Sequence, residues 1–484
     1  MHQSKLRYNN VRVNQPFLYF LQVLILFSPL PFGCVGKFWW PLFYLLLVIL
    51  TLIGLRILNK QHGGRWPEDS VNSGQESGRQ INFKKWRVVF YIFLGFLTFQ
   101  LVPIPLFLLK IISPQTVATL SQLKDRLPAF HPLSLVPYET LVFGLKFLVL
   151  GLFFGVVIRL KWRKRQIVSI LNTVVLSAFL QTVLGLAKYL MGNRYFFLFF
   201  YPQPPDDYSR FLTGTLGNPN HFAFYLEMIV PLALALFLTK MAFFEEDHPP
   251  WREKILLVFD LRNKLVFYFC SVLLMIVGII LTGARAGIVT LLLSMLLFGQ
   301  FAIYLRGSRA VRNKFRWIFF AVALVATLVG VQDTITKFKA SPFQGAGRMV
   351  RWPDTLEMAV DFPLAGTGFG TYRYAFFLYD SQGKQWSTHA HNDYLEVLAE
   401  GGVLGAAVLL LLLGMVIYTV FNRWWQRRHP EVRMLGLGIA VGLFAAIFHS
   451  FFDFALRIPS NMFMLVLILS LGVKIVTYRK RGSR

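Results

Sequence analysis

The run His389-Ala390-His391-Asn392-Asp393 leads straight into an apolar stretch that opens at Tyr394. Two imidazoles beside a carboxylate can move protons near neutral pH, because histidine titrates in that range. The same three side chains could instead grip a metal. Histidines two apart with one carboxylate are a poor ligand set without a third strong ligand, and no metal is expected. A purely structural histidine pair is the plain alternative. Titratable groups at the head of a membrane-length helix point to chemistry on a lipid-borne substrate.

Four other constellations carry polar chemistry. Arg285 lies in Thr282-Gly283-Ala284-Arg285-Ala286-Gly287, a tight turn between two apolar runs. An arginine there either meets an anion or snorkels from a helix end. Arg348 and Arg351 are three apart, so a helix would put them on one face. They adjoin an expected helix start near Pro353, where free amide groups also favour anions. Together they could hold a diphosphate, or form an exposed basic face. Asn218, Asn220 and His221 sit at the mouth of another span in Gly217-Asn218-Pro219-Asn220-His221. Either asparagine can cap that helix, or contact sugar or phosphate. The glycine-rich Phe362–Gly370 segment follows no strand, so tight turns fit it better than a nucleotide loop.

The elements that must position these residues are membrane helices. The chain has 484 residues, 55% of them hydrophobic, and a mean hydropathy of +0.54. About twelve apolar runs are each long enough to cross about 30 Å of hydrocarbon. They fall near 16–33, 38–56, 88–109, 139–158, 167–187, 221–239, 265–283, 286–305, 317–332, 402–421, 434–456 and 460–476. The expected fold is one all-α, polytopic integral membrane domain over 1–484, without a cleaved signal peptide. With the N-terminus inside, 34 of the 50 Lys and Arg residues fall in cytoplasmic segments. That bias sets both termini inside. It also assigns the net charge of +27 to anionic headgroups rather than nucleic acid. The two cysteines, Cys34 and Cys270, predict neither a disulfide framework nor a metal site.

Residues 57–86 read as a Gly/Ser-rich cytoplasmic linker. The aromatic run 196–201 suits the membrane interface. The external loop 333–392 is too long to be a mere connector, and its aromatic content is not that of disorder. It is expected to hold interfacial helices, one starting near Pro353. Under this topology Arg285, Arg348, Arg351 and His391 all face the same side.

These pieces resemble the O-antigen ligase superfamily. The likeness rests on Gly217–His221, Thr282–Gly287, Arg348–Trp352, Pro363–Gly368 and a His-Asn-x9-Gly-x2-Gly signature. That signature falls on His391, Asn392, Gly402 and Gly405, and the likeness is strongest from about 210 to 460. Two positions depart from the family pattern: Ala284 replaces the usual serine, and Pro353 interrupts a stretch that is usually helical.

The resemblance implies a GT-C-type membrane glycosyltransferase of the bacterial inner membrane, with one large periplasmic loop and no cofactor. The donor would be a glycan on undecaprenyl diphosphate and the acceptor a sugar hydroxyl of lipid A–core. His391 would activate that hydroxyl. Arg285 with Arg348, Arg351 or both would hold the diphosphate, and inversion would follow. Asn218, Asn220, His221, His389 and Asn392 would complete the substrate site. A Wzy-type polymerase differs in its acceptor, another lipid-linked repeat. A protein O-oligosaccharyltransferase differs by accepting Ser or Thr of a protein, and often carries a soluble C-terminal region. A non-enzymatic transporter of lipid-linked glycan is the rival from another class. It would place its charges near the bilayer midplane in broken, symmetric helices.

Overall fold

A computed structural model describes residues 2–62, 83–123, 127–191, 211–246, 264–306, 351–381 and 388–477. The architecture is all-α. The long helices are α1 (His2–Phe27), α2 (Trp39–His62), α3 (Phe83–Leu101), α6 (Pro137–Arg159), α7 (Lys164–Leu190) and α8 (Pro219–Glu246), followed by α9 (Lys264–Leu281), α10 (Arg285–Arg306), α13 (Asp393–Trp425), α14 (Pro430–His449) and α15 (Pro459–Thr477). Short helices α4 (Leu106–Ile112), α5 (Pro114–Leu123), α11 (Arg351–Asp361) and α12 (Tyr372–Ala375) lie in the connections. A two-residue antiparallel pair, β1 (Ile104–Pro105) with β2 (Phe130–His131), closes the loop after α3.

Among the described residues, nine helices are long and apolar enough to cross a membrane. The protein is therefore a multi-pass membrane protein. The expected span 317–332 and the aromatic run 196–201 lie outside the described residues. Three expected spans differ in extent. The run 88–109 breaks after Leu101, because Pro103 and Pro105 remove two amide donors that a helix needs. The first span closes at Phe27, ahead of Pro29 and Pro31. The run 434–456 is helical only to His449, and Ser450 to Ile458 form a turn that re-enters the bundle. Helix α2 continues to His62 and α3 begins at Phe83, so both ends of the 57–86 segment are helical.

Helix α8 is the hub. Its membrane window is 94% buried, and α7, α9, α10 and α14 surround it. A helix that is apolar on nearly all sides, with its few polar groups such as Glu227 buried too, belongs in such a central place. Small residues let its neighbours close in. Gly438 and Gly442 of α14 sit on the backbone of α8, and Gly287 of α10 meets Ala223 and Glu227. At one end of the bundle Lys164 pairs with Glu431, and the Lys474 ammonium donates to the Leu160 carbonyl at 2.7 Å. At the other end lie the heads of α8, α10, α13 and α15, together with His391.

Candidate functional site

The site is built at the head of α13. Asn392 is its N-cap, and its side-chain oxygen accepts the amides of Tyr394 at 3.0 Å and Leu395 at 3.1 Å. The cap holds Asn392 extended, and the preceding residue must then turn sharply. His391 does so with φ of 53°, a left-handed conformation uncommon outside glycine. Such a backbone costs about 1–3 kcal/mol and persists only where surroundings impose it.

What surrounds His391 is the turn between α14 and α15. The Asp393 amide donates to the Ser450 carbonyl at 2.9 Å, and the Leu456 amide donates to Asp393 Oδ2 at 3.4 Å. Clasped in this way, the turn delivers Asp453. His391 Nδ1 lies 3.1 Å from Asp453 Oδ1, and the Asp453 side chain is fully buried. The other carboxylate oxygen faces His221 Nε2 at 3.7 Å. Phe454 is the packing centre: His389 stacks on it at 4.0 Å, with His221 at 4.7 Å and His391 at 4.8 Å edge-on. One aromatic ring thus gathers three histidines from two separate parts of the chain.

The arrangement favours one tautomer. With Asp453 as the carboxylate, which only accepts hydrogen bonds, His391 Nδ1–H donates to it and the ring's lone pair lies on Nε2. A neutral imidazole held this way can take a proton from a hydroxyl, and the carboxylate then stabilises the imidazolium.

A second, ionic layer braces the loop. Glu396 and Glu400 share one face of α13. Arg457 lies between them, its Nε 3.2 Å from Glu396 and a terminal nitrogen 2.7 Å from Glu400. Glu396 also accepts from His389 Nδ1 at 2.9 Å and from the Ala390 amide at 3.1 Å. Burial works against the Arg457 charge, but Glu396, Glu400 and Asp393 outweigh it and raise its pKa above the ordinary arginine value. Arg457 therefore stays charged. His389, His391 and Asp393 turn to different partners, and among the described residues no three His, Cys, Asp or Glu side chains converge as a metal cage.

The glycine signature proves to be a docking device. Helix α13 kinks at Gly402 (φ 58°, ψ −171°), which deprives the next amides of intrahelical acceptors. The 363–368 loop supplies them. Val403 N–H donates to Pro363 O at 2.8 Å and Leu404 N–H to Leu364 O at 3.2 Å. In return Thr367 and Gly368 donate to the carbonyls of Ala399 and Glu400, each at 3.0 Å. A Cβ at Gly366 would run into the Glu400 carbonyl and one at Gly402 into that of Leu364, while Gly405 faces Phe96 and Phe369. Gln100 of α3 locks the joint, donating to Ala365 O at 2.6 Å and accepting from the Phe369 amide at 3.2 Å.

The remaining residues singled out in the sequence fall as follows. Asn218 caps α8, its side chain accepting the Asn220 amide at 2.9 Å. Asn220 and His221 are buried in the first turn of that helix. Arg285 is the first residue of α10, after a turn in which Thr282 Oγ1 accepts the Ala284 amide at 3.1 Å. Arg351 is the first described residue of α11, and Pro353 is tolerated near the start of that helix. Helix α11 packs Met358 and Ala359 near Ala390 and Ala399, which brings Arg351 to the His391 end. Arg348 lies outside the described residues.

Sequence reasoning missed Asp453, the Arg457 network and a buried pair of His449 Nδ1 with Glu227 Oε2 at 2.9 Å. A signal existed for the first. Asp453 is a lone carboxylate within Phe451-Phe452-Asp453-Phe454, and an ionisable residue in an apolar run is costly unless it serves a site.

The fold and site together define a class: a polytopic membrane protein in which a part-exposed histidine meets a buried carboxylate at one end of the helix bundle, beside an arginine-bearing loop. Residues 270–410 match the family model described as O-antigen ligase, in line with the resemblance seen in the sequence. That region spans α9 through the first part of α13 and contains Arg285, Arg351, His391 and the kink. The chain is also similar to the "Exopolysaccharide production protein ExoQ" of Rhizobium meliloti (strain 1021), with 27% identity over 179 residues, 34% of this chain. The match covers only 39% of that relative's length.

Proposed function

We propose that the chain is an O-antigen or related polysaccharide ligase of the bacterial inner membrane, with a GT-C-type fold, both termini cytoplasmic and the His391 end periplasmic. It transfers a glycan from undecaprenyl diphosphate to a sugar hydroxyl of lipid A–core. The carrying observation is the His391–Asp453 pair. It orients an imidazole so that Nε2 can accept the proton of an incoming hydroxyl. As that O–H bond breaks, the oxygen bonds to the anomeric carbon and the diphosphate leaves with the electron pair of its C–O bond, inverting the centre. Arg285 and Arg351, with Arg348, neutralise the charge that grows on the leaving group, which is electrostatic catalysis. Asn218, Asn220, His221, His389 and Asn392 shape the substrate site, and neither metal nor cofactor takes part.

The test uses the full chain in detergent or nanodiscs with a lipid-linked glycan and lipid A–core, in the presence of a chelator. Transfer is expected in the wild type and abolished in His391→Ala, whose fold is checked by thermal unfolding. Full activity in that variant would remove His391 as the base. The similarity to a protein named for exopolysaccharide production favours one second reading, a Wzy-type polymerase. Offering lipid A–core and a second lipid-linked repeat in competition separates the two by the product formed.

A further inference from the structure

Glu227 is a buried acid with no part in the proton transfer at His391. It lies eight residues into α8, about 12 Å along the helix, in the span that is 94% buried. Its Oε2 meets His449 Nδ1 at 2.9 Å, with the two side chains 1% and 0% exposed. Phe224 meets the imidazole edge-on at 5.4 Å. Gly442 of α14 lets the two helices touch beside the pair, since a Cβ there would meet the Met228 carbonyl. Pro231 follows Glu227 by four residues, so it offers no amide proton to the Glu227 carbonyl. The side chains therefore bridge α8 and α14 where the α8 backbone lacks one of its helical bonds.

Packing alone does not call for such a pair. A buried ionisable pair is a weak stabiliser, and apolar residues of similar size often hold a core as well or better. An ionisable residue at membrane depth points instead to function. The neighbours of the pair show which function. His449 is the last residue of α14, and its carbonyl accepts the Phe452 amide at 2.8 Å, which starts the turn that carries Asp453. Asp453 thus hangs four residues from the anchored ring. Its charge acts on Glu227, and its Oδ2 faces His221 of α8 at 3.7 Å. Helix α8 therefore holds this turn at two points. Glu227 also meets α10: a Cβ at Gly287 would come within 2.8 Å of Glu227 Oε1, and Gly287 lies two residues after Arg285. One carboxylate joins the piece that carries Asp453 to the piece that carries Arg285.

We propose that the Glu227–His449 hydrogen bond is a positioning pin, which sets where Asp453 stands relative to His391 and to the head of α10. The inference rests on the ligase reading and adds two positioning residues behind the base and the leaving-group arginine. Such a pin matters because a 1 Å misplacement of a reacting group can cost about 10²-fold in rate.

The test uses the full chain in nanodiscs and compares glycan transfer, thermal unfolding and backbone hydrogen exchange of residues 450–458 read by mass spectrometry. The double variant Glu227→Leu/His449→Phe fills the same space with apolar groups, so its unfolding midpoint should match or exceed the wild type. Its kcat is expected to fall at least about tenfold while KM for the lipid-linked donor stays within about twofold. Exchange in the turn should rise. Glu227→Gln keeps an acceptor for Nδ1–H and should keep most of kcat and the wild-type exchange. Glu227→Asp draws the carboxylate back by one methylene and serves if the double variant does not fold; it should move kcat and exchange in the same direction as the double. A stable double variant with wild-type kcat overturns the proposal, because stability was then all the pair supplied. So does a Glu227→Gln protein that loses as much kcat as the double. Exchange needs no turnover, so the two readings fail separately. A wild type that transfers no glycan sinks the ligase reading, while exchange in the turn still judges the pin. Transfer by the wild type with unchanged exchange in the double, or in Glu227→Asp, sinks only the pin.

Discussion

Asp453 decides what His391 can do. Its carboxylate sets the imidazole tautomer at 3.1 Å while fully buried. Asp453→Asn keeps the shape but lets an amide N–H face Nδ1, which moves the ring proton to Nε2 and removes the base. Glycan transfer by this variant is expected to fall by about 10²-fold or more, the usual worth of a positioned base. Donor-lipid binding should be unchanged. Activity within a few-fold of wild type would show that the pair is structural. The backbone is unusual here as well: His391 is held at φ 53°, in the left-handed region that glycine adopts most easily.

At the scale of elements, two joints carry the site. The first is the interlock of the 363–368 loop with the kink of α13. Gly402→Ala must place a Cβ against the Leu364 carbonyl from a left-handed backbone. A loss of about 1–3 kcal/mol is expected from the strain alone, read as a lower unfolding midpoint. Gly414 of the same helix has nothing within 4 Å of its added Cβ, so Gly414→Ala is the neutral control. A Gly402→Ala protein as stable as that control would remove the interlock as a structural requirement. The second joint is Arg457. Replacing it with methionine leaves Glu396 and Glu400 buried without their cation, which costs about 3–5 kcal/mol. Adding Glu396→Gln and Glu400→Gln should restore much of that stability. Failure of the triple variant to recover would mean that the arginine acts through packing rather than charge.

For the whole molecule, the open question is which end faces which compartment. The basic bias predicts that the end bearing Lys164 and Lys474 is cytoplasmic. In a background without Cys34 and Cys270, an impermeant thiol reagent should label Tyr138→Cys in intact spheroplasts. Trp425→Cys should react only after permeabilisation; both positions are exposed, at 66% and 54%. The reverse pattern would invert the topology and place the histidines inside.

The segments that cross the membrane were legible in the sequence because length and apolar composition suffice to identify them when every backbone donor must be satisfied within the helix. His391 and Asn392 were legible too, since a cap and a titratable pair at a helix head are local patterns. The glycine spacing was readable only as a signature. Its meaning, a kink that borrows carbonyls from a loop about forty residues away in the chain, needs the two segments side by side. The expected span 434–456 hid Asp453, because hydropathy averages one carboxylate into its aromatic neighbours.

The sequence by itself therefore determined that this is a multi-helix membrane protein with a titratable histidine pair at the head of one helix. Only the tertiary structure decided which carboxylate serves His391, that Phe454 gathers three imidazoles, and that Glu227 and His449 join α8 to the end of α14. The physical reason is separation along the chain. His391 and Asp453 are 62 residues apart and His221 lies on another helix. No local periodicity encodes contacts made by packing α8, α13 and the α14–α15 turn against one another.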